Sequence, residues 1–442
     1  MYTRRHAERL CRKALEDGKV LVLTGARQTG KSTLVVELLA DVEETEKLIL
    51  SLDDPFLRDR LVGTPGSLVR AMEEKAGRPW EKVDRFHLVL DEAQKAPALF
   101  EVVKGLYDAD REKLRVVLTG SSALAIHDPV AETLAGRCRI HTLHPFTLSE
   151  AFAHSRGEDP TRGELPSILS RLLRGRFTDE DFDALVERSR WAGAERRRWL
   201  AEHLRFPLFP EPSPSPEPEQ WLADYLTTYL EKDVQSLATL GNVALFRAAV
   251  RQIAARVGST MKWETAAQEI GTTSVTLRKY AGLMAETRNL LRLAPFAANP
   301  VKRVVKAPKL YLVDNGLLWA LRGFEDQRLL EASGMLGVYA EQSAIVEIAK
   351  WCAFEPTSPE LRFWTKTAAS EVDLVVSNRG YHVPFEVKLG KTFEGRWLRG
   401  LDAFEADHQS LGLEIPYRIV LHFGEPRRLD PRTFVLPLWA LT

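Results

Sequence analysis

Residues 19–40, KVLVLTGARQTGKSTLVVELLA, constrain this chain more than any other stretch. A short run that is apolar on both faces meets a loop with the pattern G-x-x-x-x-G-K-[ST] and passes directly into a helical pattern. Gly25 and Gly30 let the backbone curl so that its N–H groups face an anion, and the start of the helix adds partial positive charge. A loop of this kind holds a polyphosphate. Lys31 is expected to reach the β- and γ-phosphates of ATP, and Ser32 to offer its hydroxyl to Mg²⁺, with Thr33 next to it at the helix start. A glycine-rich turn of chance composition would not explain why strand, loop and helix arrive in that order.

Three more apolar runs, KLILSL (47–52), FHLVLD (86–91) and LRVVLT (114–119), alternate with helical patterns. Strands apolar on both faces and separated by helices predict a parallel sheet covered on both sides. The run LVLDEAQ stops at two adjacent carboxylates. Asp91 is expected to hold Mg²⁺ through water and Glu92 to orient or deprotonate the attacking water; the alternative is a pair of acids capping the next helix. At the end of VVLTGSS, Ser121 or Ser122 would sense the γ-phosphate. Arg137 in LAGRCRI is either an exposed cation or a charge-stabilising arginine, acting in cis or from a neighbouring subunit.

At 442 residues the chain is too long for one core. Its formal net charge of zero excludes a whole-protein field that draws it to nucleic acid or membrane, so such binding would need a local patch. Three dispersed cysteines, Cys11, Cys138 and Cys352, suit neither a disulfide framework nor a zinc knuckle. The charged start is no signal peptide, and no run approaches the ~18 apolar residues that span a bilayer, so a cytoplasmic location without membrane contact is expected. Four regions follow from pattern and composition. Residues 1–150 form the α/β phosphate-binding core, 151–220 a charged helical insert ending in the proline-rich EPSPSPEPE, 221–320 a helical region, and 321–442 a mixed helix and strand region.

The order GARQTGKST, LSLDDP, LVLDEAQKAP, LTGSS, LAGR, HPFTLSE resembles prokaryotic AAA-type P-loop ATPases that carry a C-terminal domain of unknown function. YLTTYLEKDV, PKLYLVDNGLL, EVDLVV and FEVK resemble the C-terminal region of the same proteins. The resemblance leaves out roughly 155–220, which is longer and richer in Arg and Pro.

KWETAAQEIGTTSVTLRKYAGLMAE (262–286) carries two helical patterns joined by GTTS. Ala266, Ala267 and Ile270 face inwards on the first, and Leu277, Tyr280 and Leu283 or Met284 on the second. Gly271 suits the turn and Thr273 or Ser274 the cap, which predicts a helix-turn-helix, winged if LLRLAPF and KLYLV pair after it. Residues 221–320 hold 13 Lys or Arg against 7 Asp or Glu. NPVKRVVKAPK concentrates Lys302, Arg303, Lys306 and Lys309, a candidate track for DNA phosphates. Only Arg278 and Lys279 are cations on the second helix, and such helix pairs also serve as scaffolds.

EVDLVVSNRGYHVPFEVKLG (371–390) reads as a hairpin. With Asn378–Arg379 as the turn, Glu371 faces Glu386 and Asp373 faces Pro384. Glu371, Asp373, Glu386 and Lys388 then share one face, with Asp373 and Glu386 within reach of one bridging cation. In GVYAEQSAIVEIAKWC, Glu341 falls on the apolar stripe Val338, Ile345, Ile348, Cys352, where a carboxylate needs a partner. The set resembles the PD-(D/E)XK nuclease fold. That resemblance implies that Glu341, Asp373 and Glu386 bind Mg²⁺ or Mn²⁺ and that Lys388 positions water or stabilises transition-state charge. The opposing reading is ordinary solvation of an edge hairpin.

Together these features predict an ATPase whose nucleotide state controls a DNA-binding, nuclease-like C-terminal half. The alternatives are an ATP-driven switch read by a protein partner, with homo-oligomer formation open, and a transcription regulator acting through the helix pair.

Overall fold

The computed structural model describes every residue except 1, 65, 122–132, 162–167, 214–217, 231–241, 298–306, 324–326, 368–369 and 410. The chain divides into two compact units, the first made chiefly of residues 1–145 and the second chiefly of 146–232, 239–285 and 289–442.

In the first unit the apolar runs become β1 (Val20–Thr24), β2 (Lys47–Ser51), β3 (Phe86–Asp91) and β4 (Leu114–Gly120), with β5 at Cys138–Thr142. They form one sheet in the order β2-β3-β4-β1-β5, every neighbouring pair parallel. This is the parallel α/β sheet expected for residues 1–150. β1 is buried along its whole length, which explains why its sequence carries no polar alternation. One face packs Val20, Val22, Leu88, Leu90, Val116 and Leu118 against helical residues such as Met72, Phe100 and Val103. Each such side chain contributes about 1.5–3 kcal/mol by leaving water. Parallel strands align their C-terminal ends, so the loops after β1, β3 and β4 emerge together.

The second unit contains an eight-stranded mixed sheet, in the order β12-β13-β11-β10-β9-β8-β6-β7. Its strands are β6 (Leu290–Pro295), β7 (Lys309–Leu312), β8 (Glu360–Thr367), β9 (Ser370–Asn378), β10 (Tyr381–Val387), β11 (Arg418–His422), β12 (Arg427–Arg428) and β13 (Thr433–Pro437). LLRLAPF and KLYLV do pair antiparallel, Leu290 with Leu312, but β6 also pairs parallel with β8. The segment expected to form a free wing is thus part of the same sheet as the C-terminal hairpin, and that sheet crosses the boundary expected near residue 320.

Helices Trp263–Gln268 and Ser274–Glu286 form at the expected helix pair. Ala266, Ala267, Leu277, Tyr280, Leu283 and Met284 are buried, and Thr273 caps the second helix through Thr276 N. The arginine-rich insert also has a definite place. Helix Asp179–His203 starts on a Thr178/Asp181 capping box and sends Arg196 to the Thr442 carbonyl, Arg188 to the Ala440 carbonyl and Arg197 to Glu425. Upstream, Ser170 and Arg174 hold Glu355. The charges of the helical insert expected over 151–220 tie it to the C-terminal residues. Of the proline-rich stretch, 214–217 lie outside the described residues.

Asp314 and Asn315 of LVDNGLL are buried fasteners. Asp314 accepts from Leu317 N and Leu208 N, and the Asn315 amide donates to the carbonyls of Leu204 and Tyr339. Helix Leu336–Cys352 is covered nearly all round, with Gln342, Glu347 and Lys350 as buried as Ile345 and Ile348. Among the described residues no helix is long and apolar enough to cross a membrane.

Candidate functional site

The loop after β1 bends back against its neighbour. A Cβ on Gly25 would lie 2.2 Å from the Leu143 carbonyl oxygen, so only glycine fits there. Gly30 adopts a left-handed conformation and opens helix Lys31–Leu38. Lys31 is buried, and its ammonium donates to the Gly25 and Ala26 carbonyls at 2.9 and 2.8 Å. A nucleotide phosphate offers that ammonium stronger, charged acceptors in place of loop carbonyls. Thr33, on the same helix, is exposed.

Asp91 ends β3 with its carboxylate 3.4–3.5 Å from the Ser32 hydroxyl, the pair expected to share a magnesium ion. The Thr119 hydroxyl also donates to Asp91, and Glu92 N donates to the same hydroxyl at 3.4 Å. Glu92 is buried with a left-handed backbone (φ 54°), and its carboxylate accepts from Ser121 Oγ at 3.3 Å and from the Gln94 amide. A non-glycine residue held in that conformation costs on the order of 1 kcal/mol, and such strain collects at sites where a side chain must be aimed. The helix-capping reading of these acids fails, because neither caps a helix with its side chain. Ser122 lies outside the described residues.

Arg137 is elsewhere. Its carbonyl accepts from Val20 N at the start of β1, while the phosphate loop follows Thr24 at the far end. At ~3.3 Å per residue the two lie on the order of 15 Å apart. Its guanidinium forms a bidentate pair with Asp108 at 2.7 and 2.9 Å. The expected role in cis is therefore overturned: parallel pairing places Arg137 at the wrong end of the sheet.

Sequence reasoning missed three contributors: Thr119, Gln94 and Arg5. Arg5 is buried and donates to the Thr29 carbonyl at 2.8 Å and the His144 carbonyl at 2.7 Å, clamping the phosphate loop from the N-terminal segment. A buried strand end, Thr119, gave a weak signal; the second of two adjacent arginines before the first helix gave none.

In the second unit the hairpin turns at Arg379–Gly380, both with positive φ, and pairs Asn378 with Tyr381, Ser377 with His382 and Val375 with Pro384. The expected turn is off by one residue and the register by two, because Arg379 and Gly380, not Asn378 and Arg379, form the turn with positive φ. An even slip keeps every side chain on its face. Continued by one pair, the observed register sets Asp373 opposite Glu386, and the Val387 N–H donates to Asp373 at 2.8 Å. The face is not wet, since Asp373 and Glu386 are both buried. Solvation of an exposed edge hairpin is therefore ruled out.

Glu341 does come to this face, with Lys309 beside it. The Lys309 ammonium lies 3.3 Å from Glu341 and 4.0 Å from Asp373, and also pairs with Glu371. Tyr311 donates to Glu341 at 2.6 Å, and Lys388 pairs with Glu386. The other Glu386 oxygen, Oε2, is buried with no hydrogen-bond partner. Burial first, then the Asp373 charge, pushes Glu341 up to about 7 and Glu386 up to about 8. Burial pulls the Lys309 ammonium down, but the charges of Glu341, Asp373 and Glu371 outweigh it and raise its pKa. Among the described residues no three His, Cys, Asp or Glu side chains converge closely enough to hold one metal ion. The donor chemistry nonetheless fits a hard divalent cation: four carboxylates around two ammoniums, with one buried oxygen unpaired.

Lys309 was expected on an exposed basic track; it is 2 % exposed and engaged with acids. The other three cations, Lys302, Arg303 and Lys306, lie outside the described residues. Arg278 pairs with Glu264 and stacks over Trp263, and both it and Lys279 are exposed on that helix.

Residues 17–152 match the family model of an AAA domain. Two further models match, both domains of unknown function: DUF8612 over 197–328 and DUF4143 over 336–441. The chain is 26% identical over 396 residues to an uncharacterised protein of Mycobacterium tuberculosis, Rv2008c, covering 88% of this chain and 74% of that one. Mycobacterium bovis has a counterpart, Mb2031c, at the same identity and coverage. Among solved structures, the Walker-type ATPase PABY2304 of Pyrococcus abyssi overlays with a TM-score of 0.39 at 14% identity, covering 73% of this chain and 96% of that one. The ORC1 protein of Aeropyrum pernix in complex with DNA overlays with a TM-score of 0.32 at 13% identity, covering 75% and 95%.

Proposed function

We propose that the first unit is a Mg²⁺-dependent ATPase. The observation that carries this reading is the placement of two carboxylates behind a phosphate loop, Asp91 facing Ser32 and Glu92 held by Ser121 and Gln94. Backbone N–H groups and Lys31 would cradle the β- and γ-phosphates, and Ser32 with Asp91 would hold Mg²⁺, which neutralises developing charge when bound. Glu92 would align a water in line with the γ-phosphate and accept its proton, with Ser121 and Gln94 fixing the carboxylate. The test is ATP turnover and ATP binding in wild type and Glu92→Gln, with Mg²⁺ and with EDTA. Binding retained with turnover lost in the variant supports the assignment. Normal turnover in Glu92→Gln refutes it.

The second unit supports a reading in which nucleotide state governs a DNA-directed, nuclease-like C-terminal half. Its observation is the gathering of Glu341, Asp373, Glu386 and Lys388 in one cluster, with Asp373 and Glu386 buried and one carboxylate oxygen unpaired. Glu341, Asp373 and Glu386 would hold a divalent cation, and Lys388 would orient water or a scissile phosphate. Incubating supercoiled, single-stranded and branched DNA with Mg²⁺ or Mn²⁺, with and without ATP, tests it in wild type and Lys388→Ala. Cleavage lost in Lys388→Ala supports catalysis. If no substrate is cut, the cluster is a silent platform, and ATP binding sets a conformation that a protein partner reads.

A further inference from the structure

Lys309 reaches the acid cluster from a strand far from the hairpin in sequence, and three of the four carboxylates turn towards it. The remaining carboxylate, Glu386, has one oxygen on Lys388 and the other buried without a partner. A Cβ on Gly400 would stand 3.6 Å from that orphan oxygen and 1.9 Å from the Glu371 carbonyl, so helix Arg399–Gln409 closes over the cluster only because residue 400 is glycine. With all four acids ionised, two ammoniums leave the cluster at a formal charge of −2. It is charged to take a divalent cation, yet its carboxylates are not set around one point. Lys309 accounts for both facts. Its ammonium sits where an ion shared by Glu341 and Asp373 would be, and it draws Glu341 and Glu371 towards itself.

We propose that Lys309 is a tethered internal cation that competes with a divalent metal for the acid cluster. This rests on the reading that the cluster takes such a metal. When the ammonium is in place, it offsets part of the acids' charge without metal; when a metal enters, Lys309 gives up Glu341 and Asp373 and Glu386 Oε2 gains a ligand. The backbone of Lys309 is anchored next to the helix pair: residue 309 bridges Thr260, and Met261 N donates to the Pro308 carbonyl at 2.9 Å. A shift of the segment leading into Trp263–Gln268 therefore moves the lysine, which makes metal loading responsive to whatever engages those helices.

The test is nucleotide-free Mn²⁺ binding, followed by the paramagnetic resonance of free Mn²⁺, in wild type, Lys309→Arg, Lys309→Met and each of these with Glu386→Gln. Lys309→Met also removes a buried countercharge, so the double variant Lys309→Met/Glu371→Gln, which keeps the formal charge at −2, is measured beside it. Competition predicts Kd at least about tenfold tighter in Lys309→Met and in the double variant, with Lys309→Arg close to wild type, and the gain abolished by Glu386→Gln. Equal Kd values across wild type, Lys309→Met and the double variant would overturn the competition while leaving the metal site standing. No Mn²⁺ binding sensitive to Glu386→Gln in any background would instead refute the metal site itself. Amine acetylation of Lys309 in wild type, read by mass spectrometry, gives an independent check. Saturating Mn²⁺ should raise its labelling several-fold, and unchanged labelling with Mn²⁺ bound would also overturn the exchange.

Discussion

The two charged centres of this protein are built in opposite ways. The phosphate site comes from one continuous strand–loop–helix and the ends of two adjacent parallel strands, all within residues 20–121. The acid cluster takes Lys309, Glu341, Glu371, Asp373, Glu386 and Lys388 from two antiparallel hairpins and a helix. The first centre therefore has one contiguous loop at its heart, whereas the second is assembled entirely from separate segments that meet on the eight-stranded sheet. One consequence is electrostatic. The cations of the phosphate site rest on carbonyls that a ligand can replace, while those of the acid cluster already hold carboxylates.

The contrast is broken most directly at Lys31 and Glu92. Lys31→Ala should weaken ATP binding by at least about a hundredfold in equilibrium titration, since it removes a buried charge-assisted contact to phosphate. Glu92→Gln should lower kcat by about 10²–10³-fold with ATP binding intact. Comparable losses from any single cluster variant would show that the two centres depend on each other. Next in size is the cluster itself. Lys309→Met strips the counterion from buried carboxylates, and denaturant unfolding should show a loss of about 3–5 kcal/mol, partly restored by Glu371→Gln. A loss below about 1 kcal/mol would mean that the acids protonate at little cost.

A smaller effect separates positioning from chemistry at the phosphate loop. Arg5→Ala should raise KM for ATP about five- to tenfold with kcat within about twofold, because two hydrogen bonds from a charged donor are worth about 1.5–3 kcal/mol each and act on the loop rather than on the γ-phosphate. A kcat defect without a KM change would place Arg5 in the chemical step. Arg137→Ala should leave single-site kcat within about twofold, since its bidentate partner is Asp108 at the other end of β1. A hundredfold loss that appears only at high protein concentration would instead assign it to a neighbouring subunit.

The pH dependence is the mildest expectation. Glu341 and Glu386 hold protons to about pH 7 and 8 in the folded state, well above the unfolded range of ~4.3, so the native state binds more protons in between. The stability these two groups confer is present at low pH and lost as pH rises through 7–8. Thermal melts from pH 6 to 9 should therefore fall more steeply in wild type than in Glu386→Gln. Parallel slopes would mean that Lys309 and Lys388 keep both acids ionised.

How far the sequence could be read follows the same division. KVLVLT, FHLVLD and LRVVLT announced strands, and GARQTGKST with LVLDEAQ announced at which strand ends the candidate site lies, because parallel strands separated by helices leave few topologies. Arg137 misled for a reason of direction: sequence gives the spacing from β5, but not which end of the sheet residue 137 occupies. The hairpin gave the correct faces in a shifted register, since face depends on parity alone while register depends on the turn that Arg379 and Gly380 adopt.

By itself, then, the sequence determined the phosphate loop, its two carboxylates and the sharing of one face by Asp373, Glu386 and Lys388. These depend on contiguous residues and on the fixed periods of helix and strand. Only the tertiary structure decided that this face is buried, that Lys309 belongs among its acids instead of on an exposed basic track, and that Arg5 clamps the phosphate loop. Each of those depends on which distant segment fills the space above a strand. That choice is made by the packing of whole elements, and no local pattern of residues encodes it.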